Sequence, residues 1–297
     1  MQYDITLIGN YTKDTVVTTQ ETKYVDGGGF NYGAHAARAL GAKVAAVTRL
    51  NKNDKHVVDN LEAIGIDVFP TYTPESTHME LIYPTNNFDN RTLIMPKSAG
   101  SFTSKQFEDI DSKIFLVNAS IRDEFKLETL FELKTKGALI GIDLQGFIRT
   151  KDTENILINS TWGQKKEALG MTDYLKADGV EAEFLTGESD LVAAAKVLKA
   201  YGPKEVIITH KDGVLVYADN KIFQEPFKLK KIIGRSGRGD TCGASYVFMR
   251  LTSNPETATK WAAAATSIKM ESDTPLKKDK EIIQNLVKKY NQKPLRN

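Results

Sequence analysis

The feature that leaves this chain fewest folds is a regular alternation of short apolar runs with helix-patterned segments between about residues 100 and 210. Strands are expected at Ile114 to Val117, Leu139 to Asp143, Tyr174 to Lys176 and Val206 to Thr209. Helices are expected between them at 126–136, about 153–168, 181–186 and 190–200. Repeated strand and helix units make neighbouring strands parallel, because each helix carries the chain back across the sheet, and the helices cover both its faces. The same rhythm opens the chain, with a strand at Ile5 to Gly9, an Ala-rich helix at 31–40 that Gly41 stops, and a strand at Val44 to Thr48. A helix at 54–64 and a strand at Ile66 to Phe69 follow. Two stretches break the rhythm. Thr15 to Val25 is rich in Thr and Val with partial alternation, and 77–84 with 91–95 reads as a hairpin about an Asn-rich turn. After residue 210 come a hairpin (Leu215 to Tyr217, Ile222 to Glu225) and helices at 240–252, 255–270 and 278–290. The expected class is α/β, a three-layer sandwich on a mainly parallel central sheet. One domain spanning 1–297 would carry a small β lid inserted at about 15–26 and 78–95. Ligands of such a sheet bind outside the carboxyl ends of its strands.

The bulk composition removes several functions. Lys and Arg total 40 against 38 Asp and Glu, with no long like-charge block, so neither nucleic acid nor a membrane surface is an expected partner. Apolar residues make up 41% and charged residues 26%, values that suit a chain folding around its own core. A single cysteine, Cys242, precludes an internal disulfide, and His35, His56, His78 and His210 show no metal-ligand spacing. The N-terminus lacks a basic segment followed by a long apolar one, and no apolar run nears 18 residues. A cytoplasmic location is expected.

The segment Gly234-Arg-Ser-Gly-Arg-Gly-Asp-Thr-Cys-Gly-Ala-Ser-Tyr246 places glycines just before a helix whose first turn carries an acid. Glycine lets backbone N–H groups crowd an anion, and the helix N-terminus adds partial positive charge. Asp240 would stand beside that anion hole, where a carboxylate can take the proton of an attacking hydroxyl. An acid that merely caps a helix behind a glycine turn has the same local sequence.

Over essentially its whole length the chain resembles the ribokinase-like carbohydrate kinases, also called the PfkB family. Gly237-Arg238-Gly239-Asp240 is similar to that family's Gly-Ala-Gly-Asp signature, which implies Asp240 as catalytic base and the amides of 237–240 as anion hole. Asp14 matches a family acid that binds substrate hydroxyls, and Asp26-Gly27-Gly28-Gly29 matches the glycine pair at the sugar site. Asp178-Gly-Val-Glu181 resembles the Asn-x-x-Glu segment, whose glutamate organises magnesium through water. Val206 to Thr209 with Gly213 and Val214 resembles the strand and turn that hold the nucleotide. The resemblance thus implies an ATP- and Mg²⁺-dependent kinase that moves the γ-phosphoryl group to a sugar or polyol hydroxyl.

The departures from the family pattern bear on the substrate. Arg238 replaces the usual Ala, and Gly234-Arg235-Ser236 stands for Asp-Thr-Thr, so two guanidinium groups flank the anion hole, to pin phosphate or to face solvent. Phe30-Asn31-Tyr32 stands where the family has Gly-x-Asn, which exchanges a sugar contact for aromatic surface beside Asn31. Asp178 replaces an asparagine, and Lys211 in a short Thr209-His210-Lys211 turn replaces a glycine of the nucleotide loop. Asp143-Leu-Gln145-Gly-Phe-Ile-Arg149 ends a core strand, so Gln145 and Arg149 are candidates to reach the acceptor or the phosphate; a strand-ending turn with a solvated arginine is the alternative. This segment looks most like a subgroup that includes inositol kinases, which implies a cyclic polyol acceptor. Ala264 and Ser267, in an Ala-rich helix, are the resemblance-based adenine contacts, against plain core packing. Cys242 is expected to be inert. Rival readings are a nucleoside kinase with a base pocket at Phe30 and Tyr32, and a silent sugar or nucleotide sensor. A homodimer through the lid is the expected assembly.

Overall fold

The computed structural model describes residues 2–85 and 91–292. The N-terminal part comprises β1 (Gln2–Ile8), β2 (Thr12–Val17), β3 (Thr22–Gly27), α1 (Gly29–Ala39), β4 (Val44–Leu50), α2 (His56–Glu62), β5 (Asp67–Tyr72), β6 (Thr77–Ile82) and β7 (Thr92–Lys97). The middle comprises β8 (Asp111–Val117), α3 (Leu127–Lys134), β9 (Leu139–Asp143), α4 (Gln145–Ile148), β10 (Arg149–Lys151), β11 (Leu157–Asn159), α5 (Lys165–Gly170), β12 (Tyr174–Asp178), α6 (Gly179–Thr186), α7 (Leu191–Ala200) and β13 (Glu205–Thr209). The hairpin β14 (Gly213–Ala218) and β15 (Lys221–Pro226) leads to α8 (Arg238–Met249), α9 (Pro255–Met270) and α10 (Lys280–Tyr290).

A nine-stranded sheet runs in the order β15-β14-β13-β12-β9-β8-β1-β4-β5. Its pairings from β5 to β13 are parallel, and β14 and β15 add an antiparallel edge. Side chains of β1 divide between two cores. Ile5 and Leu7 pack with α1, α2, α8, α9 and α10, while Tyr3 and Ile8 pack with α3, α5, α6 and α7. Each such side chain, fully withdrawn from water, contributes about 1.5–3 kcal/mol of transfer free energy. The result is the expected three-layer, ribokinase-like α/β sandwich.

Two features of this sheet set up the site. The chain leaves β1 towards β4 and β5 on one side and comes back at β8 on the other, so strand order reverses between β1 and β8. The N–H of Asn118, just past β8, donates to the Ile8 carbonyl at 2.7 Å there. Second, α1 and α8 lie side by side because Gly33 has no side chain: a methyl there would fall 2.9 Å from Leu7 Cδ1 and 3.4 Å from Ala244 Cβ. That contact brings the N-termini of both helices to the reversal point.

A separate four-stranded sheet, in the order β3-β2-β6-β7, has strands at 12–17, 22–27, 77–82 and 92–97, against the lid strands expected at about 15–26 and 78–95. It is mixed rather than antiparallel throughout, since β2 and β6 run parallel. The turn at 86–90 lies outside the described residues. The helix expected at about 153–168 is a correction. Its first half is the hairpin β10–β11, and only α5 is helical. Asp152 Oδ1 accepts from the N–H groups of Glu154 and Ile156, both at 2.8 Å, and Asn155 takes φ 64, so the side chain closes a turn that a helix would have to break. The segment after Asp143, for which a strand-ending turn is the alternative reading, forms the short helix α4.

Candidate active site

The run Gly27-Gly28-Gly29 is shaped by what surrounds it. A methyl on Gly27 would fall 2.2 Å from Asp14 Oδ2, and one on Gly29 would fall 2.4 Å from Asp240 Oδ1 and 2.8 Å from Asn118 Cβ. Gly28 takes φ 97, where a side chain is strained in any case. The run thus brings Asp14, Asp240 and Asn118 against one stretch of backbone. Asn118 Nδ2 donates to Asp240 Oδ1 at 3.2 Å. Asp14 Oδ1, Asn10 Oδ1, Asn118 Oδ1 and Glu124 Oε1 are buried acceptors with no hydrogen-bond partner among the described residues. Burial pushes Asp14 up to about 7; the Thr12 hydroxyl and the Arg91 charge pull it down, and Asp240 and Asp26 push it further up. Burial likewise pushes Glu124 up to about 7, against the Ser120 N–H and the Asn10 amide.

The Gly237 turn forms the other half. Gly237 caps α8 with φ 73 and lies flat on Tyr32, whose ring carbon would be 2.1 Å from a methyl there. A methyl on Gly239 would fall 2.4 Å from Lys176 Nζ. Lys176 is 6% exposed and pairs with Asp143 at 2.9 Å. Burial alone would lower its ammonium, but Asp143, Glu181, Asp178 and Asp240 outweigh burial and hold it above the usual lysine range. Burial raises Asp240 and Asp143, and Lys176 pulls both back. Arg238 opens α8, its N–H donates to the Arg235 carbonyl at 3.1 Å, and its charge reaches His210 and Cys242. The first N–H groups of a helix have no intrahelical acceptor, so this end suits an anion.

Glu181 and Asp178 form a reciprocal capping box at the start of α6. Asp178 Oδ1 accepts from Glu181 N and Glu181 Oε2 accepts from Asp178 N, each at 2.8 Å. Arg149 Nη2 lies 3.6 Å from Glu181 Oε1. Glu181 is pushed up to about 7 by burial and by Asp178, with Lys176 and Arg149 opposing. No group of three or more His, Cys, Asp or Glu among the described residues could hold a metal ion. A Mg²⁺ that arrives with a phosphate donor commonly keeps several waters and takes few protein carboxylates.

The family model for pfkB family carbohydrate kinases matches residues 2–276. The chain belongs to this family. It is a phosphotransferase acting on a sugar or polyol hydroxyl. Among solved structures, a pyrophosphate-dependent kinase in the ribokinase family complexed with a pyrophosphate analog and myo-inositol is 31% identical, with TM-score 0.87, covering 95% of this chain and 99% of that one. A pyrophosphate-dependent myo-inositol-1 kinase converted by two substitutions into a myo-inositol-3 kinase is 30% identical, also at TM-score 0.87, covering 96% and 99%. A cytidine kinase of Thermococcus kodakarensis is 25% identical over 260 residues, 82% of this chain and 87% of the relative. An Arabidopsis thaliana ribokinase complexed with ribose and ATP shares the fold at TM-score 0.77 and 18% identity, covering 97% and 99%.

Within this kinase the residues expected at the nucleotide are mostly closed off. Ala264 is 0% and Ser267 1% exposed. Ser267 Oγ donates to Ala263 O at 2.6 Å and accepts from Lys228 N at 2.9 Å, with Tyr290 Oη 3.4 Å away. Thr209 is buried at the end of β13, and Gly213 lies against the Glu225 carbonyl; Lys211 is exposed. Asn31 turns back to donate to the Asp26 carbonyl at 3.2 Å, and Gln145 is half-buried on α4. Cys242 is buried, its thiol pushed up to about 11 by burial. Sequence reading missed Asn118, Lys176, Glu124 and Lys269. Asn118 stands just beyond the end of β8 on the ligand edge of the sheet, and that position was its one available signal, whereas Lys176 lies in the middle of β12.

Proposed function

We propose that this kinase transfers a phosphoryl group from inorganic pyrophosphate to a hydroxyl of a cyclic polyol of the myo-inositol type, with Asp240 as general base. The observation that carries the acceptor is the set of unpartnered buried oxygens on Asp14, Asn10 and Asn118. Such groups cost about 1–3 kcal/mol each when left unpaired, and a ring bearing several O–H donors repays that cost. Phe30 and Tyr32 are 0% and 2% exposed, packed beneath Gly28 and Gly237, so they offer no base-stacking wall and weigh against a nucleoside acceptor.

The donor reading departs from ATP because Ala264 and Ser267 are buried and expose almost no surface to an adenine, while Lys176 Nζ lies against Gly239, Arg149 reaches Glu181, and Arg235 and Arg238 stand in the Gly237 turn itself. A compact, highly charged donor needs cations more than it needs a flat slot. The 30–31% identical pyrophosphate-dependent relatives support the same choice. Burial raises the basicity of Asp240, and Asn118 orients it. The acceptor hydroxyl gives its proton to Asp240 as its oxygen bonds to phosphorus; the bridging P–O bond breaks and the departing phosphate keeps the electron pair. The α8 amides and Lys176 stabilise charge on the transferring group. Glu181 would help to hold a Mg²⁺ bound with the donor, and that ion would supply further charge neutralisation.

The test measures phosphate release from pyrophosphate and ADP release from ATP with myo-inositol, ribose and cytidine as acceptors. Pyrophosphate with myo-inositol is expected to give the highest kcat/KM; preference for ATP overturns the donor, and preference for cytidine overturns the acceptor. Asp240→Asn should fold normally and lose roughly 10²- to 10⁴-fold in kcat. Near-normal turnover by that variant would remove Asp240 as the base.

A further inference from the structure

Lys269, in the last turn of α9, is 0% exposed, and the proposed transfer makes no use of it. A buried ammonium is costly unless compensated. Here its Nζ stands 5.2 Å from the centre of the Tyr32 ring and 3.4 Å from the Ser272 carbonyl. Tyr32 is the surface on which Gly237 rests, and its hydroxyl is buried with no partner among the described residues. The same turn is gripped from α9. Ile233 N and Gly234 N donate to the Met270 carbonyl at 2.8 and 3.3 Å, and a methyl on Gly234 would fall 2.9 Å from Asp273 Cα. The 233–237 turn is therefore held between Tyr32 and the 269–273 segment, and Lys269 stands where these two supports meet.

We infer that Lys269 is a positioning residue for the phosphoryl donor, propping the Tyr32 ring beneath Gly237 and placing a positive charge behind the N-terminus of α8. The inference rests on the reading that the donor binds at Gly237–Asp240. The groups that face the ammonium are Asp240 from α8, Asp273 from the segment after α9, and Tyr32 from α1. Burial pushes Lys269 down to about 8, and the two carboxylates pull the other way. The charge is thus present below about pH 8 and lost above it.

Lys269→Met keeps the length of the side chain and removes the charge. Its donor KM should rise roughly ten- to hundredfold, the range for losing a contact to a charged group, while the acceptor KM stays near that of the parent. The parent's donor kcat/KM should fall as pH rises through about 8, and that limb should flatten in the variant. The unfolding midpoint should hold or rise, because a buried charge has been replaced by an apolar chain. An unchanged donor KM and pH limb overturns the inference, as does an equal rise in both KM values with a lowered midpoint. Tyr32→Leu, which removes the ring, should give the same donor-selective loss, and an unaffected donor KM in that variant also overturns it. A parent enzyme that turns over neither pyrophosphate nor ATP would instead refute the donor reading itself.

Discussion

Gly27, Gly29 and Gly239 each mark the place of a charged side chain that needs the space, Asp14, Asp240 and Lys176 respectively. Gly239 is the sharpest case, because the atom it accommodates, Lys176 Nζ, is buried and already paired with Asp143 at 2.9 Å. Gly239→Ala has no cheap relaxation and should cost about 1–3 kcal/mol, as overpacking does, together with a loss of activity. Gly170→Ala, exposed and with nothing within 4 Å of the added methyl, should be neutral or stabilising by up to about 1 kcal/mol. Urea unfolding compares the two; equal midpoints would show that Lys176 moves aside freely. Asp14 makes a second prediction at this scale. Its carboxyl titrates near about 7 when folded and near ~3.9 when unfolded, so the native state binds more protons in between, and its contribution to stability falls as pH rises through that window. Asp14→Asn should therefore be the more stable protein at a pH above about 7, by roughly 1–3 kcal/mol, with the gain shrinking as pH is lowered towards ~4. Its acceptor KM should rise. Glu124 and Glu181 shift in the same direction but are present in both proteins, so the difference between their pH-stability curves isolates Asp14.

At the scale of elements, periodicity located what packs on both faces and failed where one side chain decides. The buried strands β8, β9, β12 and β13 and the helices α6, α7, α9 and α10 were legible because apolar runs and caps leave little choice. The β10–β11 hairpin was not, since its turn depends on Asp152 closing on two amides, a local bond that no apolar period reports. Partial signals were the short apolar run Ile156-Leu157-Ile158 and the polar Asp152-Thr-Glu-Asn155 before it. The site shows the same division. Asp240, Asp14 and the glycines stand in recognisable strings, whereas Lys269 ends an Ala-rich helix and reads as an ordinary exposed cation answering the helix dipole. Only the packing of α9 against Tyr32 removes it from water. Glu181 was legible twice over, since Asp178-x-x-Glu181 is also a capping box, and that role accounts for most of its geometry.

For the whole molecule, the question is what holds the small sheet over the nine-stranded one. Polar ties at β2 and β3 contribute, beside the Met95 N–H that donates to the Asn155 carbonyl at 2.9 Å and the Leu81 and Met95 side chains that cluster with Ile121. Lys13 on β2 pairs with Asp54 at 2.9 Å, and Asp26 on β3 meets His56 at 3.0 Å and accepts from Tyr11 Oη at 2.6 Å. Asp54 also accepts from Ser76 Oγ at 2.6 Å. Although burial alone would raise it, Ser76, Lys13 and His56 hold its carboxyl below the usual range, so this tie keeps its charge at neutral pH. The strand it secures carries Asp14. On the proposed reading, closing the sheet would deliver the acceptor-binding group and exclude water in one motion. Water is the competing acceptor for any phosphoryl donor. Asp54→Asn keeps the side chain's shape and removes its charge. With Lys13 47% exposed, the pair contributes only about 0.5–1 kcal/mol, too little to shift the unfolding midpoint far. The same energy spent on the closed state should raise donor hydrolysis relative to transfer about two- to fivefold. Phosphate released without acceptor, divided by phosphorylated product formed with it, measures that ratio. If the ratio is unchanged, the Lys13–Asp54 pair is a surface contact and the small sheet is held shut by its substrate.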